Sequence, residues 1–396
     1  MQTRICLIGA MMLAIAAPRC VCQAVAVSDQ PRQAALALEQ QGNNGEAEAA
    51  WRTYLKAHPS SSEAYAHLGL LEARQEHYKE AVPLYRKALA LNPRIPGLRL
   101  NLGLALFKAG EMKDALREFE PLLKNTQQSS PDRQRLAILI GMSYYGVAEY
   151  AQAAPYLKEA AARDPQNLPL RLALAHSCLW SKQYQCVLDT YHEILTLNAE
   201  SAEADMLAGE ALDELKDSSG AIEQFRAAVK ADPKMPDVHF GLGYLLLSKH
   251  RYEEAVPEFQ AELANNPKHV QAMAHLGEVE MKLSHPEAAL PLFKNAISID
   301  PEFELAHLDL GILYVAAGRI DDALRELKIA AKLAPNDVDV HWRLGRLYRA
   351  MGNKEDAKAE IDKAKSITQA ADTALVDKMN PHLAPEQTPP AVPGEK

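Results

Sequence analysis

The sequence predicts an all-α chain, an α-solenoid of stacked helix hairpins, and three recurrences predict it. The glycine Gly69 returns among similar neighbours at Gly103, Gly141, Gly209, Gly243, Gly277, Gly311 and Gly345, in steps of 34 residues apart from one of 38 and one double step with Ala175 in its middle slot. Twelve residues after each of these nine slots comes a small side chain: Ala81, Ala115, Ala153, Val187, Ala221, Ala255, Ala289, Ala323 and Ala357. Four residues later stands a large one: Tyr85, Phe119, Leu157, Tyr191, Phe225, Phe259, Phe293, Leu327 and Ile361. Copies of one short unit at a fixed period bury their apolar faces against one another, so the array has no single core.

With the glycine placed at position 8, the other slots acquire physical jobs. Small residues at 8 and 20 let the two helices of a hairpin approach to roughly 8–10 Å. The large residue at 24 fills the gap between one hairpin and the next. Pro93, Pro165, Pro233, Pro267, Pro301 and Pro335 fall at position 32, where a missing N–H ends the second helix and opens the next repeat. Position 7 is Leu68, Leu102, Ile140, Leu174, Ala208, Leu242, Leu276, Leu310 and Leu344. Leu-Gly, an aromatic, Ala, an aromatic and a closing Pro over 34 residues resemble the tetratricopeptide repeat. The resemblance implies a right-handed superhelix with the first helix of each hairpin, helix A, lining the inner surface, where family members hold extended peptides or partner helices.

Taken in order, residues 1–26 read as a secretory signal peptide: Arg4, an apolar run from Ile5 to Ala17, and Ala24-Val25-Ala26 as the cleavage site. The run is too short to span a membrane. Residues 27–61 are a degenerate capping repeat in which Ala35 replaces the glycine while Ala47, Trp51 and Pro59 hold positions 20, 24 and 32. Nine repeats then occupy 62–371, at 62–95, 96–133, 134–167, 168–201, 202–235, 236–269, 270–303, 304–337 and 338–371. Between the third and fourth repeats lies the polar stretch Asn125 to Asp132 with four extra residues. It is expected to be a longer loop rather than a helical insertion, with the stack continuing across it. The last repeat lacks the position-32 proline, and Ile361, Ala364, Ile367, Ala371 and Leu375 keep a 3–4 spacing. One long helix to about Lys378 is expected to cover the end of the stack. Residues 372–396 hold the end of that helix and a proline-rich tail expected to be disordered.

Charged residues make up 24% and hydrophobic ones 48%, which excludes a polytopic membrane protein, and the mature chain holds no integral membrane segment. The leader carries two basic residues and no acid, so its removal takes the formal charge from −9 to −11. That argues against a nucleic-acid partner. Arg19 and Val21 precede Cys20 and Cys22 where a lipoprotein signal has a small residue, so lipidation is not expected. Two cysteines then remain in an exported chain, Cys178 and Cys186, four residues either side of Lys182. The turn's symmetry admits a disulfide between them. The simpler reading, which we prefer, is a buried thiol at position 11 and an exposed one at position 19.

Chemistry is sparse. No phosphate loop, zinc-protease helix, nucleophile elbow or calcium loop is present, so neither an enzyme nor a cofactor is expected. Gly241-Leu242-Gly243 lies inside a helix A and follows no strand, which makes it packing. His239, His307 and His341 share position 4. One repeat separates such residues by about 10 Å, whereas a shared metal needs nitrogens about 2 Å from it. They are expected to pack, with no metal.

The resemblance places positions 2, 5, 9 and 12 on the groove. Leu100, Leu104 and Phe107 occupy it in the third repeat, Ile138, Met142 and Tyr145 in the fourth, Leu172 and His176 in the fifth, Phe240 and Tyr244 in the seventh, Leu308 and Ile312 in the ninth, and Trp342 in the tenth. Arg343, Arg346 and Arg349 follow at spacings of three and read either as a solvated basic face near the array's end or as an anion-binding mouth. The carboxylate-clamp arrangement of Lys and Asn, and the asparagine ladder of O-linked N-acetylglucosamine transferase, are both missing. The expected function is a non-enzymatic scaffold for protein or peptide partners, periplasmic or extracellular and bacterial, with homo-oligomers allowed. The alternative is an accessory subunit of a polysaccharide synthesis, export or secretion enzyme complex, with a glycan-binding groove that uses Tyr145, Trp180 and Tyr244.

Overall fold

The computed structural model of the protein describes residues 20–127, 130–198 and 200–379. The apolar start of the expected leader and the proline-rich tail lie outside them. Among the described residues there are twenty α-helices and no strand. None of these helices is long and apolar enough to cross a membrane. The chain divides between Gln183 and Tyr184 into two compact bodies.

The first body contains α1 (Cys20–Gln40), α2 (Asn44–Ala57), α3 (Ser62–Arg74), α4 (Tyr78–Leu91), α5 (Leu98–Lys108), α6 (Met112–Lys124), α7 (Pro131–Gly146), α8 (Tyr150–Arg163) and α9 (Leu168–Trp180). The second contains α10 (Tyr184–Leu197), α11 (Ala202–Glu214), α12 (Ser218–Ala231), α13 (Val238–Ser248), α14 (Tyr252–Asn265), α15 (Val270–Lys282), α16 (Pro286–Ile299), α17 (Glu304–Ala316), α18 (Ile320–Leu333), α19 (Val338–Ala350) and α20 (Lys354–Met379). Odd-numbered helices are the A helices and even-numbered ones the B helices. Within each body a helix packs on those one or two places away along the chain, so each body is a run of nearest-neighbour hairpins.

The position-8 glycine sets the approach inside the hairpins that carry it. A β-carbon at Gly103 would stand 2.4 Å from the Phe119 ring, and one at Gly277 would stand 2.5 Å from Phe293. The residue at position 24 therefore lies on the glycine of its own repeat. Phe225 also reaches forward: a β-carbon at Gly241 of the next repeat would stand 2.5 Å from it. The filling role expected between hairpins is thus joined by one within them. In the degenerate first repeat Ala35, Ala47 and Trp51 are fully buried with Leu68 and Leu71 of the next.

Helix A ends by a backbone device. The residue at position 15 takes positive φ in each of the ten repeats, from Gly42 to Gly352. The following N–H then bonds back across the last turn, as in His77 N–H to the Glu72 carbonyl at 3.0 Å and Arg251 N–H to Leu246 at 2.9 Å. This is the left-handed closure that satisfies helix-end carbonyls. At the other end Ser61, Asn167, Ser201 and Asp337 accept the N–H three residues on, which meets part of the demand of the first turn.

Two expectations are corrected in part. The extra residues between the third and fourth repeats are partly helical, because α7 starts at Pro131 with Ser130 as its cap. Proline suits a first helical turn, where its missing N–H has no partner to lose. The packing does continue across the insertion, with Phe119 and Leu123 in the same buried cluster as Leu136 and Ile140. At the other end α20 runs to Met379 as the one long helix expected, but among its described side chains it buries only Ala357, Ile361 and Ala364, half-buries Ile367 and leaves Ala371 exposed, so its extension does not cover the stack. A helix outruns its cover when no further repeat packs on it.

Candidate functional site

The exposed side of the A helices is the candidate site, and its parts are set by which helical faces the hairpins consume. In the first body Leu100, Leu104 and Phe107 on α5 are half-buried against the core cluster of the second to fourth repeats. Ile138, Met142 and Tyr145 on α7 and Leu172 and His176 on α9 are likewise half-buried. Four of the body's rings meet in a chain. Tyr145 lies 6.3 Å from His176 and 5.7 Å from Tyr150, whose ring stacks at 6.1 Å on Trp180. Trp180 is 64% exposed, which leaves one broad aromatic face bare.

In the second body Phe240 and Tyr244 on α13 stack at 6.2 Å, and His275 on α15 stands 5.3 Å from Tyr244 and 5.9 Å from Phe240. Tyr244 is 52% exposed, Val315 43% and Trp342 38%, while the neighbouring Leu245, Leu313 and Leu344 are buried. Leu308 is a correction: it is buried in the core cluster of the eighth to tenth repeats and not exposed on the groove. Ile312 stays half-buried on the same helix. Tyr145 and Trp180 thus share one aromatic cluster, whereas Tyr244 belongs to another.

The three arginines separate. Arg343 donates through Nε to Asp339 at 2.6 Å. Arg346 and Arg349 are exposed beside Trp342. Within reach of the Arg343 charge lies a carboxyl that no sequence motif marks. Asp309 on α17 has a buried Oδ2 with no hydrogen-bond partner. Burial first, and then the charge of Glu278, push its pKa up to about 7 against the pull of Arg343. Glu278 itself accepts from His275 at 3.4 Å, which holds its carboxyl below the usual range.

The position-4 histidines are struts between the two helices of a hairpin. His239, His307 and His341 bond through Nδ1 to Glu258, Glu326 and Glu360 at 2.6, 2.8 and 2.6 Å. His307 and His341 also bond the carbonyls of Pro301 and Pro335 through Nε2 at 3.1 and 3.0 Å. Arg99 repeats the strut with Glu118 at 2.8 Å.

One other cluster has metal-like spacing. Ligand atoms of Asp237, Glu262 and His269 lie within 4.8 Å of one another. Protein hydrogen bonds account for it: His269 Nδ1 accepts the Ala272 N–H at 3.2 Å, which puts the ring proton on Nε2, and Nε2 donates to Asp237 Oδ1 at 2.8 Å. Glu262 takes the N–H groups of Asp237 and Phe240 at 3.4 and 3.2 Å. A metal on Nε2 would need a ring stripped of both protons, so the cluster is read as a cap. The cysteines depart from the preferred reading, since Cys178 and Cys186 are both disulfide-bonded.

Family comparison agrees with the repeat pattern. Tetratricopeptide-repeat profiles match residues 72–137 and 280–337, residues 32–94, 188–236 and 240–302, and residues 338–370. Among curated proteins the chain is 25% identical over 215 residues to BBSome complex member BBS4 of Bos taurus, covering 54% of this chain and 41% of that one. It is 27% identical over 153 residues to type IV pilus assembly protein PilF of Pseudomonas aeruginosa, covering 38% of this chain and 60% of that one. The chain thus spans roughly half the length of these relatives. Among solved structures, YrrB, described as a TPR protein with an unusual peptide-binding site, is 24% identical with a TM-score of 0.38, covering 48% of this chain and 97% of that one. MamA from Desulfovibrio magneticus is 19% identical with a TM-score of 0.39, covering 43% of this chain and 96% of that one. The profile matches together span more than half of the sequence, and the chain belongs to the tetratricopeptide-repeat family.

Proposed function

We propose that the protein is an exported, non-enzymatic scaffold that holds a protein or peptide segment on the A-helix face of its second body. The observation that carries this is the exposure of Tyr244 on α13, Val315 on α17 and Trp342 on α19, with Arg346 and Arg349 exposed on the same helix as Trp342. Large apolar groups left bare next to free cations fit a partner better than they fit water. The export reading rests on residues 1–26. The likeness to a pilus assembly protein favours assembly of an envelope machine as the setting.

Arginine suits a carboxylate because its planar fork bonds both oxygens. Cross-linking capture from intact envelope is expected to recover a partner with the native chain and to lose most of it with Arg346→Glu/Arg349→Glu, through slower association and reduced salt sensitivity. Equal recovery and unchanged salt dependence, with the helical circular dichroism intact, would remove the arginines from the site. A second reading is favoured by the bare face of Trp180 against Tyr150, which suits stacking on a sugar ring. In that reading the chain is a glycan-binding accessory subunit, and Trp180→Ala would abolish its retention on an envelope polysaccharide column.

A further inference from the structure

Among the described residues of the second body, Asp309 alone keeps a buried side-chain polar atom, Oδ2, without a hydrogen-bond partner. It holds position 6 of the ninth repeat, on α17, and Arg343 holds position 6 of the tenth, on α19. The two helices share a buried cluster that includes Leu310 and Tyr314 of one and Leu344 and Leu347 of the other. Equal positions on neighbouring A helices stand roughly 10 Å apart, a gap that an extended arginine and an aspartate close from opposite sides. Besides burial, the charges that act on Asp309 are Glu278 and Lys282 from α15, Glu304 from α17 itself and Arg343 from α19. His275 of α15 is engaged with Glu278 at 3.4 Å. α16 and α18 also pack on α17 and add no charge that acts on Asp309; Glu326 of α18 is taken by His307 at 2.8 Å.

Arg343 bonds outward, to Asp339 one turn earlier on its own helix, and the two side chains are 41% and 57% exposed. We propose that Arg343 is a two-position switch: it holds Asp339 while Asp309 carries a proton, and turns inward to Asp309 when that proton leaves, so that Asp339 becomes a bare carboxylate on α19. The relative strength of the two pairs drives the exchange. An exposed pair one turn apart contributes little, because water screens it, whereas a half-buried carboxylate without a partner is costly to ionise. Arg343 therefore gains more at Asp309 than it gives up at Asp339. Lys282 competes poorly: its ammonium is the more strongly hydrated cation and also acts on Glu278, while a guanidinium fork sets two donors on one carboxylate. Asp309 titrates at about 7, so the outward pair belongs to the acid side of that value and the inward pair to the alkaline side. Near neutral pH the helix that carries Trp342, Arg346 and Arg349 thus gains or loses one exposed negative charge.

Carbon-detected NMR of the full chain tests this by following Cζ and Nε of Arg343, assigned by their absence from Arg343→Lys, from about pH 5 to about pH 9. The native signal is expected to move in one step with its midpoint near pH 7. In Asp309→Asn it should keep its acid position throughout, because a neutral amide does not draw the guanidinium in. In Asp339→Asn the outward partner is gone, so the midpoint should fall by about 0.3 pH unit, a roughly twofold shift of the size an exposed pair commands. Asp339 is exposed, so this variant reports even where the half-buried site tolerates no change. Lys282→Gln should leave the step in place. A native signal that does not move, or a midpoint unchanged in Asp339→Asn, would overturn the proposal. A step that survives in Asp309→Asn would belong to another titrating group such as His275 and would also overturn it. A step abolished by Lys282→Gln would give the inward place to the lysine, with the same result.

Discussion

At six of the ten turns from helix A to helix B a side chain occupies left-handed backbone: Glu76, Ala148, Lys182, Lys216, His250 and Ser284 have φ between 59° and 68°. The other four are Gly42, Gly110, Gly318 and Gly352. A β-carbon costs roughly 1–2 kcal/mol there, and glycine's extra unfolded freedom returns part of that. Ala148→Gly is therefore expected to stabilise the first body by about 1 kcal/mol, measured as a higher denaturant midpoint at unchanged slope; a lower midpoint would contradict it. Asp309 offers a second test. Its folded pKa of about 7 lies above the ordinary aspartate value of 3.8, so the folded state binds the proton more tightly. The group's favourable contribution is complete below the unfolded value and is lost as pH rises from about 4 through about 7. Asp309→Asn should gain roughly 2–4 kcal/mol of stability at pH 8 relative to its effect at pH 4. An equal effect at both pH values would mean that Asp309 titrates normally.

The hairpin is the scale at which the sequence speaks most directly. Glycine at position 8 is visible because a β-carbon at any of its eight glycines would meet a ring or a branched side chain, and that exclusion recurs at the repeat spacing, with alanine in its place at Ala35 and Ala175. The position-15 turn was not legible, because backbone hydrogen bonds impose it on six residues with β-carbons. Leu308 shares a groove position with Phe240 and Trp342 yet is buried, and His275 joins the aromatic cluster from position 6, which spacing does not assign to the groove. Only neighbouring side chains decide such matters. The struts make a testable element: His341 is 1% exposed and ties α19 to α20 through Glu360 and to the preceding turn through Pro335. His341→Ala should cost about 2–3 kcal/mol by stranding these acceptors. Hydrogen exchange should show the loss in α19 and α20, and a loss below about 0.5 kcal/mol would mean that the strut carries little.

Across the molecule, contacts between near neighbours predict that damage stays local. Gly243→Trp would drive a side chain into Phe259, already 3.0 Å from where a β-carbon would stand. Protection from hydrogen exchange should fall across about residues 202–303, the mutated repeat and its two neighbours, and hold elsewhere. A uniform fall through all ten repeats would indicate one cooperative fold. A regular array also has a weakness: a ligand that fits one repeat fits the next, and can slip along by about 10 Å at little cost. The additional first turn of α7, opened by Ser130 and Pro131, breaks that translational equivalence in the first body. A partner that touches it has a single alignment to adopt, so the same insertion that interrupts the period gives this part of the array a zero mark.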